Sequence, residues 1–180
     1  MLITALFLGI VLIKALWIFT DPEREKIIRE RDFVRSNLIE LGIIALQALA
    51  AIIFPLPLGP VTTFVQILGV SLYLLGVFFT IWGRITMRRF WGHPGKVHKD
   101  RQTELVTGGA FRISRNPIYV GFLLIYFGYA LAIRSVLIVL RIPLAIYFYR
   151  SILKEEVNLE KQFGKTYRAY KNRVPRFLLV

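Results

Sequence analysis

Residues 105–121 carry polar side chains and glycines directly before a long apolar stretch. Pro117 suits the first turn of a helix, because the N–H that it lacks would have no partner there. The pattern predicts a helix that begins near Pro117, with Arg115, Asn116 and Tyr119 clustered at its entrance. Such an entrance lies where water meets the membrane, so a water-soluble reagent could react there with an apolar one.

Two adjacent carboxylates, Glu155 and Glu156, open a second polar segment near the C-terminus. Both cannot point into one small pocket without an electrostatic cost. We expect one to face inward and the other to lie in solvent or to pair with a base. Gly108 and Gly109 of the first segment permit tight turns and close approach of the backbone to a ligand.

The two segments form one ordered set of short motifs. The first segment reads Leu-Val-Thr-Gly-Gly-Ala-Phe from Leu105 and Arg-Asn-Pro-Ile-Tyr-Val-Gly from Arg115. The second contains Glu155-Glu156-Val157-Asn158-Leu159, Phe163-Gly164, Tyr167, Tyr170 and Arg173-Val174-Pro175. In this order and spacing the motifs make the chain resemble the isoprenylcysteine carboxyl methyltransferase and phospholipid methyltransferase superfamily.

The resemblance implies a cofactor, S-adenosylmethionine, held by loop and helix ends at the cytosolic face. It implies no Rossmann domain, and the chain has no Gly-x-Gly-x-x-Gly turn after a strand. An aromatic ring beside the sulfonium and an acid beside the aminoacyl end would suit the cofactor's two positive charges. The implied cofactor-binding residues are Thr103, Glu104, Leu105, Val106, Phe111, Arg115, Asn116, Pro117, Tyr119 and Glu155, and the implied catalytic residues are Arg150 and Glu156.

The chain departs from the family pattern at positions that bear on the substrate. Asn116 replaces the usual His, and Phe111 replaces the usual Tyr. In the prenyl-cysteine branch an arginine contacts the substrate carboxylate at the position occupied here by Ser151, one residue after Arg150. Arg150 is therefore a candidate for that contact, and Arg134 and Arg141 are alternatives to it. The acceptor is expected to be a lipophilic molecule, either a prenylated cysteine carboxylate or another membrane-soluble compound.

Composition places the chain among integral membrane proteins. Of its 180 residues 56% are hydrophobic, and the 24 Lys and Arg outnumber the 11 Asp and Glu. These basic residues lie between apolar stretches rather than on one soluble patch, so we expect no nucleic-acid partner. The absence of cysteine excludes disulfides, a thiolate nucleophile and cysteine-based metal sites.

We predict an all-α fold that forms a single membrane domain over residues 1–180. Residues 1–82 supply three transmembrane helices, and residues 83–180 supply a cofactor-binding loop, a transmembrane hairpin and a cytoplasmic C-terminal helix. Residues 21–37 carry five acids and five bases and are expected to form a solvated linker or surface helix. The predicted spans are residues 2–19, 38–54, 61–82, 118–132 and 136–149, and the first of them is expected to be retained rather than cleaved.

Several residues inside these spans need a structural explanation. We expect Lys14 to snorkel or to pair with a polar group on another helix. Arg141 needs a polar partner or an aqueous cavity, and Pro143 should bend its helix. Gly69 and Gly76 lie on nearly the same helix face and predict close helix packing.

The distribution of basic residues predicts the orientation in the membrane. Segments 21–37, 83–117 and 154–180 contain 5, 8 and 7 Lys or Arg, whereas the connections at 55–60 and 133–135 contain only Arg134. The positive-inside rule therefore predicts a multi-pass protein with a cytoplasmic C-terminus.

Alternative functions remain open at the level of sequence. His93 and His98 have few other ligands nearby, so we expect no metal site. Membrane sterol reductases share a related helical core, which leaves NADPH-dependent reduction as one alternative. The other is a non-enzymatic membrane interaction protein, in which Arg115 and Tyr119 are interfacial anchors and the acidic pair is a solvated helix turn. No obligate protein partner is evident.

Overall fold

A computed structural model describes residues 1–21, 24–57, 59–90 and 103–178. Within these ranges the regular structure is helical, which confirms the predicted all-α class. The helices are α1 (Leu2–Phe19), α2 (Arg24–Arg29), α3 (Arg31–Ile53), α4 (Pro60–Met87), α5 (Pro117–Ala132) and α6 (Ile142–Lys171), with 3-10 turns at Arg88–Phe90, Gly109–Arg112 and Val136–Arg141.

Four segments are long and apolar enough to cross a membrane. They have mean hydropathies between 1.8 and 2.5 and comprise α1, most of α3, α4 and the stretch Val136–Lys171. Helix α5 is apolar but has only 16 residues, so it is about 24 Å long and shorter than the hydrocarbon core. The described helices therefore fit an integral membrane protein with four full-length spans and one shorter apolar helix.

The predicted helix ends agree for α1 and for the start of α5, and they differ at the start of α3. Helix α1 has the predicted bounds, and α5 begins at Pro117 as expected. Helix α3 begins at Arg31 rather than Leu38, because residues 31–37 contain no glycine or proline that would end the helix there.

The hairpin breaks where predicted, but its second arm differs from the prediction. Helix α5 ends at Ala132, and Arg134 follows with a φ of 54°. The arm changes from a 3-10 helix to α6 at Ile142, one residue before Pro143, and the bend expected at Pro143 remains a prediction. In the first turn of a helix a proline displaces no hydrogen bond.

Helix α6 joins two elements that the sequence had separated. It runs from Ile142 to Lys171 and therefore contains most of the predicted last span together with much of the C-terminal polar helix. The irregularity lies instead at Gly164, where φ is 50° and ψ is −120°. This backbone conformation is open to glycine and strained for other residues.

The chain divides into two compact units. Unit 1 consists of Met1–Tyr73 and Tyr126–Arg141, and unit 2 consists of Leu74–Ile125 and Ile142–Val180. Both motif segments of the sequence belong to unit 2.

Unit 1 contains charged side chains within its apolar helices. The Lys14 ammonium donates to Glu40 at 2.7 Å and to Asn37 at 2.8 Å, which confirms the predicted inter-helix pairing. Arg141 is 1% exposed, donates to Oε1 of the Gln47 side chain and lies over the Tyr126 ring at 5.3 Å. Each cation thus has the polar or aromatic partner that a membrane interior requires.

Close packing at α4 glycines occurs in both units. In unit 2, a Cβ on Gly76 would lie 2.6 Å from the Gly121 carbonyl oxygen. In unit 1, a Cβ on Gly69 would overlap the backbone of Ala132. Both contacts confirm the predicted close packing, which brings α5 against α4.

Candidate functional site

The loop before α5 approaches α4 at one glycine of the predicted pair. Gly109 has a φ of 51°, and a Cβ there would lie 2.5 Å from the Thr86 hydroxyl oxygen. Gly108 has φ −89° and ψ 178°, an extended conformation open to any residue, and free space around it. The close backbone approach that we expected toward a ligand is thus made by Gly109 toward Thr86 of α4.

Polar side chains form hydrogen bonds at the N-terminus of α5. Asn116 lies immediately before the helix, and its carbonyl oxygen accepts the first hydrogen bond, from the Val120 N–H at 3.0 Å. The Ser114 hydroxyl accepts from the Asn116 N–H at 3.0 Å. Both side chains also donate to the Arg176 carbonyl oxygen, at 3.0 Å from Ser114 and 3.2 Å from Asn116.

A tyrosine and a carboxylate join α5 to α6. The buried Tyr119 hydroxyl donates to Oε1 of the half-buried Glu155 at 2.5 Å. The Tyr119 ring also meets the Phe148 ring edge-on, with centroids 5.5 Å apart. A short hydrogen bond to a carboxylate is charge-assisted and fixes the direction of that carboxylate. Glu155 therefore presents an oriented acidic group beside two aromatic rings.

The neighbouring carboxylate of Glu156 is engaged by two arginines. Arg176 donates to both of its oxygens, at 3.1 and 2.9 Å, and Arg115 approaches at 3.1 Å. Glu156 is 5% exposed, so these charged hydrogen bonds compensate its removal from water. The hydrogen bond to Glu156 raises the pKa of the Arg176 guanidinium, which therefore stays protonated.

Residues 172–178, which we call the C-terminal strap, follow α6 and return to the α5 entrance. The Arg115 N–H donates to the Pro175 carbonyl oxygen at 2.9 Å. The Arg115 guanidinium donates to the Lys171 carbonyl oxygen at 2.8 Å, and the Tyr170 hydroxyl donates to that of Phe111 at 2.7 Å. The two motif segments, distant in sequence, thus form one hydrogen-bonded layer in unit 2.

Comparison with known families shows the family to which the chain belongs. Residues 64–166 match the model of a family described as phospholipid methyltransferase, which is more than half of the chain. The chain belongs to the phospholipid methyltransferase family. The matched residues include Tyr119, Glu155 and Glu156, whereas the C-terminal strap lies beyond them.

Curated relatives of this family member include plant enzymes. A probable protein-S-isoprenylcysteine O-methyltransferase from Oryza sativa subsp. indica is 28% identical over 113 residues, which cover 62% of this chain and 59% of the relative. Protein-S-isoprenylcysteine O-methyltransferase B from Arabidopsis thaliana is 29% identical over 109 residues, covering 59% and 55%. The chain thus spans less than two thirds of these relatives. No solved structure matches it significantly.

The cofactor-binding residues predicted for this phospholipid methyltransferase family member differ in burial. Asn116, Pro117 and Tyr119 are buried, and Glu155, Arg115 and Phe111 are half-buried. Leu105 and Val106 are half-buried, while Thr103 and Glu104 are exposed. The hydrogen bonds described above join Phe111, Arg115, Asn116, Tyr119 and Glu155 into the layer, and they do not extend to Thr103.

The predicted catalytic residues lie in contrasting environments. Glu156 is buried in its double ion pair, whereas Arg150 is exposed. Arg150 precedes Glu155 by five positions, so the two side chains point about 140° apart around α6. Ser151 lies one turn before Glu155, on the same face, and is buried.

The other arginines considered for the acceptor belong to unit 1. Arg141 is bound to Gln47, and Arg134 donates to the Leu56 carbonyl oxygen at 3.0 Å. His93 and His98 lie outside the described residues. Within the described ranges no group of three or more His, Cys, Asp or Glu is arranged to hold a metal ion.

Sequence reasoning missed Arg176. It follows the Arg-Val-Pro motif directly and has a buried carboxylate as its partner, but nothing in local periodicity connects it with Glu156, 20 residues earlier. A signal was nevertheless present, because the sequence analysis allowed one carboxylate of the acidic pair to be paired with a base.

Proposed function

We propose that this protein transfers a methyl group from S-adenosylmethionine to a lipophilic acceptor in the membrane. The observation that carries the proposal is the hydrogen bond between Tyr119 and Glu155, made by two segments that both lie within the family match. It sets an oriented, half-buried carboxylate beside aromatic rings at the polar entrance of an apolar helix.

The residues around this pair suit the cofactor's charges. A half-buried carboxylate such as Glu155 can accept charge-assisted hydrogen bonds from the ammonium of the aminoacyl end. The rings of Tyr119 and Phe148 pack edge-on beside Glu155, and in our proposal the face of one of them attracts the sulfonium. The partly buried backbone at Leu105 and Val106, with Phe111, would complete the binding surface.

S-adenosylmethionine would supply an electrophilic methyl group: the acceptor's nucleophilic atom bonds to the methyl carbon in line with the breaking carbon–sulfur bond, and S-adenosylhomocysteine is the leaving group. The protein's task is therefore to align the reactants and to exclude water. In our proposal Glu155 binds, Tyr119 orients Glu155, and the apolar surfaces of α5 and α6 exclude water. A carboxylate acceptor would need no general base, whereas an amine, thiol or hydroxyl acceptor would need one.

The acceptor is proposed only as a class. The plant relatives are named for methylation of a prenylated cysteine, which would make a prenyl-cysteine carboxylate one acceptor to test. Ser151, on the same helix face as Glu155, carries no charge for such a carboxylate. A different lipophilic acceptor that enters from the bilayer is therefore equally consistent with the site.

The first test is ligand binding to the detergent-purified protein by calorimetry. We expect S-adenosylmethionine and S-adenosylhomocysteine to bind and NADPH not to bind. Selective binding of NADPH would replace the proposal with a membrane reductase. Absence of binding by all three ligands, in protein whose helical circular dichroism and cooperative thermal unfolding show that it is folded, would favour a non-enzymatic membrane protein.

The second test identifies the acceptor. Transfer of a labelled methyl group would be measured to a farnesylated cysteine analogue and, separately, to the lipids of a vesicle that contains phosphatidylethanolamine. Labelling of one acceptor names the substrate class, and labelling of neither, in a protein that binds the cofactor, would exclude both of these acceptors.

A further inference from the structure

We propose that Arg176 is a positioning residue of the methyl-transfer site and acts through Glu155. The inference rests on the proposed function. Arg176 lies outside the residues that match the family and outside the set that the motifs predicted. Its contacts nevertheless connect α6 with the entrance of α5, the two elements that carry the proposed site.

The first step is the geometry of the acidic pair. Glu155 and Glu156 are consecutive on α6, so their side chains point about 100° apart. Glu155 faces Tyr119, and Glu156 faces Arg115 and Arg176. Because both are attached to one rigid helix, holding Glu156 also determines the direction in which Glu155 points.

The second step concerns the contacts that the Arg176 side chain makes with α6. Its guanidinium binds Glu156 at two points, donates to the Tyr149 hydroxyl at 3.3 Å and lies 5.7 Å from the centre of the Tyr149 ring. Tyr149 and Glu156 are seven residues, or about two turns, apart on the same helix face. One planar side chain therefore spans two turns of α6, which a lysine could not reproduce.

The third step concerns the hydrogen bonds that join the Arg176 backbone to the entrance of α5. Its carbonyl oxygen accepts hydrogen bonds from Ser114 and Asn116, and the preceding Pro175 carbonyl accepts from the Arg115 N–H. Asn116 precedes α5, and Tyr119 lies in the first turn of that helix. Arg176 therefore holds α6 by its side chain and the entrance of α5 by its backbone, and the Tyr119–Glu155 hydrogen bond joins the same two helices.

Loss of the Arg176 side chain should let α6 rotate or shift relative to α5. The 2.5 Å hydrogen bond between Tyr119 and Glu155 tolerates little displacement, because hydrogen-bond strength falls steeply with distance and angle. The binding surface for the cofactor's ammonium would then be misdirected, although neither Tyr119 nor Glu155 had changed.

The experiment measures S-adenosylmethionine affinity by calorimetry in the full-length protein and four variants: Arg176→Met, Arg173→Met, Glu155→Gln and the double variant Arg176→Met with Glu155→Gln. Arg173 is the matched control, because it lies on the same strap, is exposed and has a side chain that donates to the Ala169 carbonyl oxygen and not to Glu156. We expect Arg176→Met to weaken binding by about tenfold and Arg173→Met to leave it unchanged.

The double variant distinguishes positioning from a general structural role or from direct contact with the ligand. If Arg176 acts through Glu155, the double variant binds as weakly as Glu155→Gln alone. Additive losses would overturn the proposal, and so would wild-type affinity in Arg176→Met. If Arg176→Met does not fold, Arg176→Lys is used instead, because it keeps the charge but cannot donate to both Glu156 oxygens in the same way. The affinities of the single and double variants are then measured with this substitution.

A second readout does not depend on the cofactor. Because the chain contains no cysteine, the variant Tyr119→Cys with Glu155→Cys can be cross-linked selectively by a short bis-methanethiosulfonate, which forms one disulfide with each cysteine and releases methanesulfinate. We expect Arg176→Met to reduce the cross-linking rate by several fold, whereas Arg173→Met should not. Unchanged cross-linking would overturn the positioning role. Failure of the unaltered protein to bind S-adenosylmethionine would instead overturn the proposed function.

Discussion

At the scale of single residues, the two adjacent glutamates have separate roles. Glu155 is half-buried and bound to Tyr119, whereas Glu156 is almost fully buried and bound to two arginines. The sequence led us to expect one inward carboxylate and the other either in solvent or paired with a base, and Glu156 is paired with two bases. The catalytic role predicted for Glu156 remains a prediction, and its two ion pairs favour anchoring over proton transfer.

Glu155→Gln should weaken S-adenosylmethionine binding, because it removes the charge that would pair with the cofactor's ammonium. A hydrogen bond to a charged group contributes about 1.5–3 kcal/mol, so we expect at least a tenfold loss of affinity by calorimetry. Glu160→Gln is the matched control, since Glu160 lies on the same helix with its side chain 38% exposed. Equal affinities in the two folded variants would show that Glu155 does not bind the cofactor.

Gly109→Ala should destabilise the protein by about 1–3 kcal/mol, because φ is positive and the new Cβ would meet Thr86. Gly108→Ala is the control, since that residue has an ordinary φ and open space around it. Thermal unfolding in detergent would compare the two. A larger effect at Gly108 would contradict the described loop conformation.

At the scale of elements, unit 1 is held together by polar contacts between apolar helices. Lys14 of α1 binds Glu40 of α3, and Gln47 of α3 binds Arg141 and the Leu137 carbonyl oxygen. A lone charge in a membrane interior is costly, so partners on other helices specify how the helices pack. The hydrophobic pattern alone could not specify this register, because the lipid-facing and helix-facing surfaces are equally apolar.

Lys14→Leu should destabilise the protein by about 1–3 kcal/mol, because it leaves the Glu40 carboxylate without its cation. Adding Glu40→Leu should restore part of the loss, since the buried charge is then removed as well. Unfolding temperatures of the two single variants and the double variant would give the coupling. The exposed pair of Glu160 and Lys171 is the control and should show coupling near zero. Strictly additive effects at Lys14 and Glu40 would contradict the described ion pair.

At the scale of the whole molecule, charge asymmetry predicts the orientation of the helices. The polar segments that hold the motifs are rich in Lys and Arg, and we propose that both face the cytoplasm. Because the chain has no cysteine, single cysteines report accessibility without background. A membrane-impermeant maleimide should label Lys161→Cys in inverted vesicles and Pro57→Cys in right-side-out vesicles. The reverse pattern would overturn the proposed orientation.

The amino-acid sequence by itself determined the helical class, the apolar spans and the family, because these depend on local composition and on short motifs. The bounds of α1 and the start of α5 at Pro117 followed from hydropathy and from the missing proline N–H. The length of α6 could not be predicted in this way. Its residues change from apolar to polar along the chain, which changes the surroundings of the side chains but does not end the helix.

Tertiary structure decided which side chains meet. Glu156 and Arg176 are 20 residues apart, and Tyr119 and Glu155 are 36 apart. No local periodicity encodes such pairs, because they depend on how α5, α6 and the C-terminal strap pack within unit 2. These pairings affect the stability of the fold, because burying a carboxylate without a cation costs considerable free energy. The sequence could thus name the acidic pair, whereas only the fold could assign Tyr119 to one carboxylate and two arginines to the other.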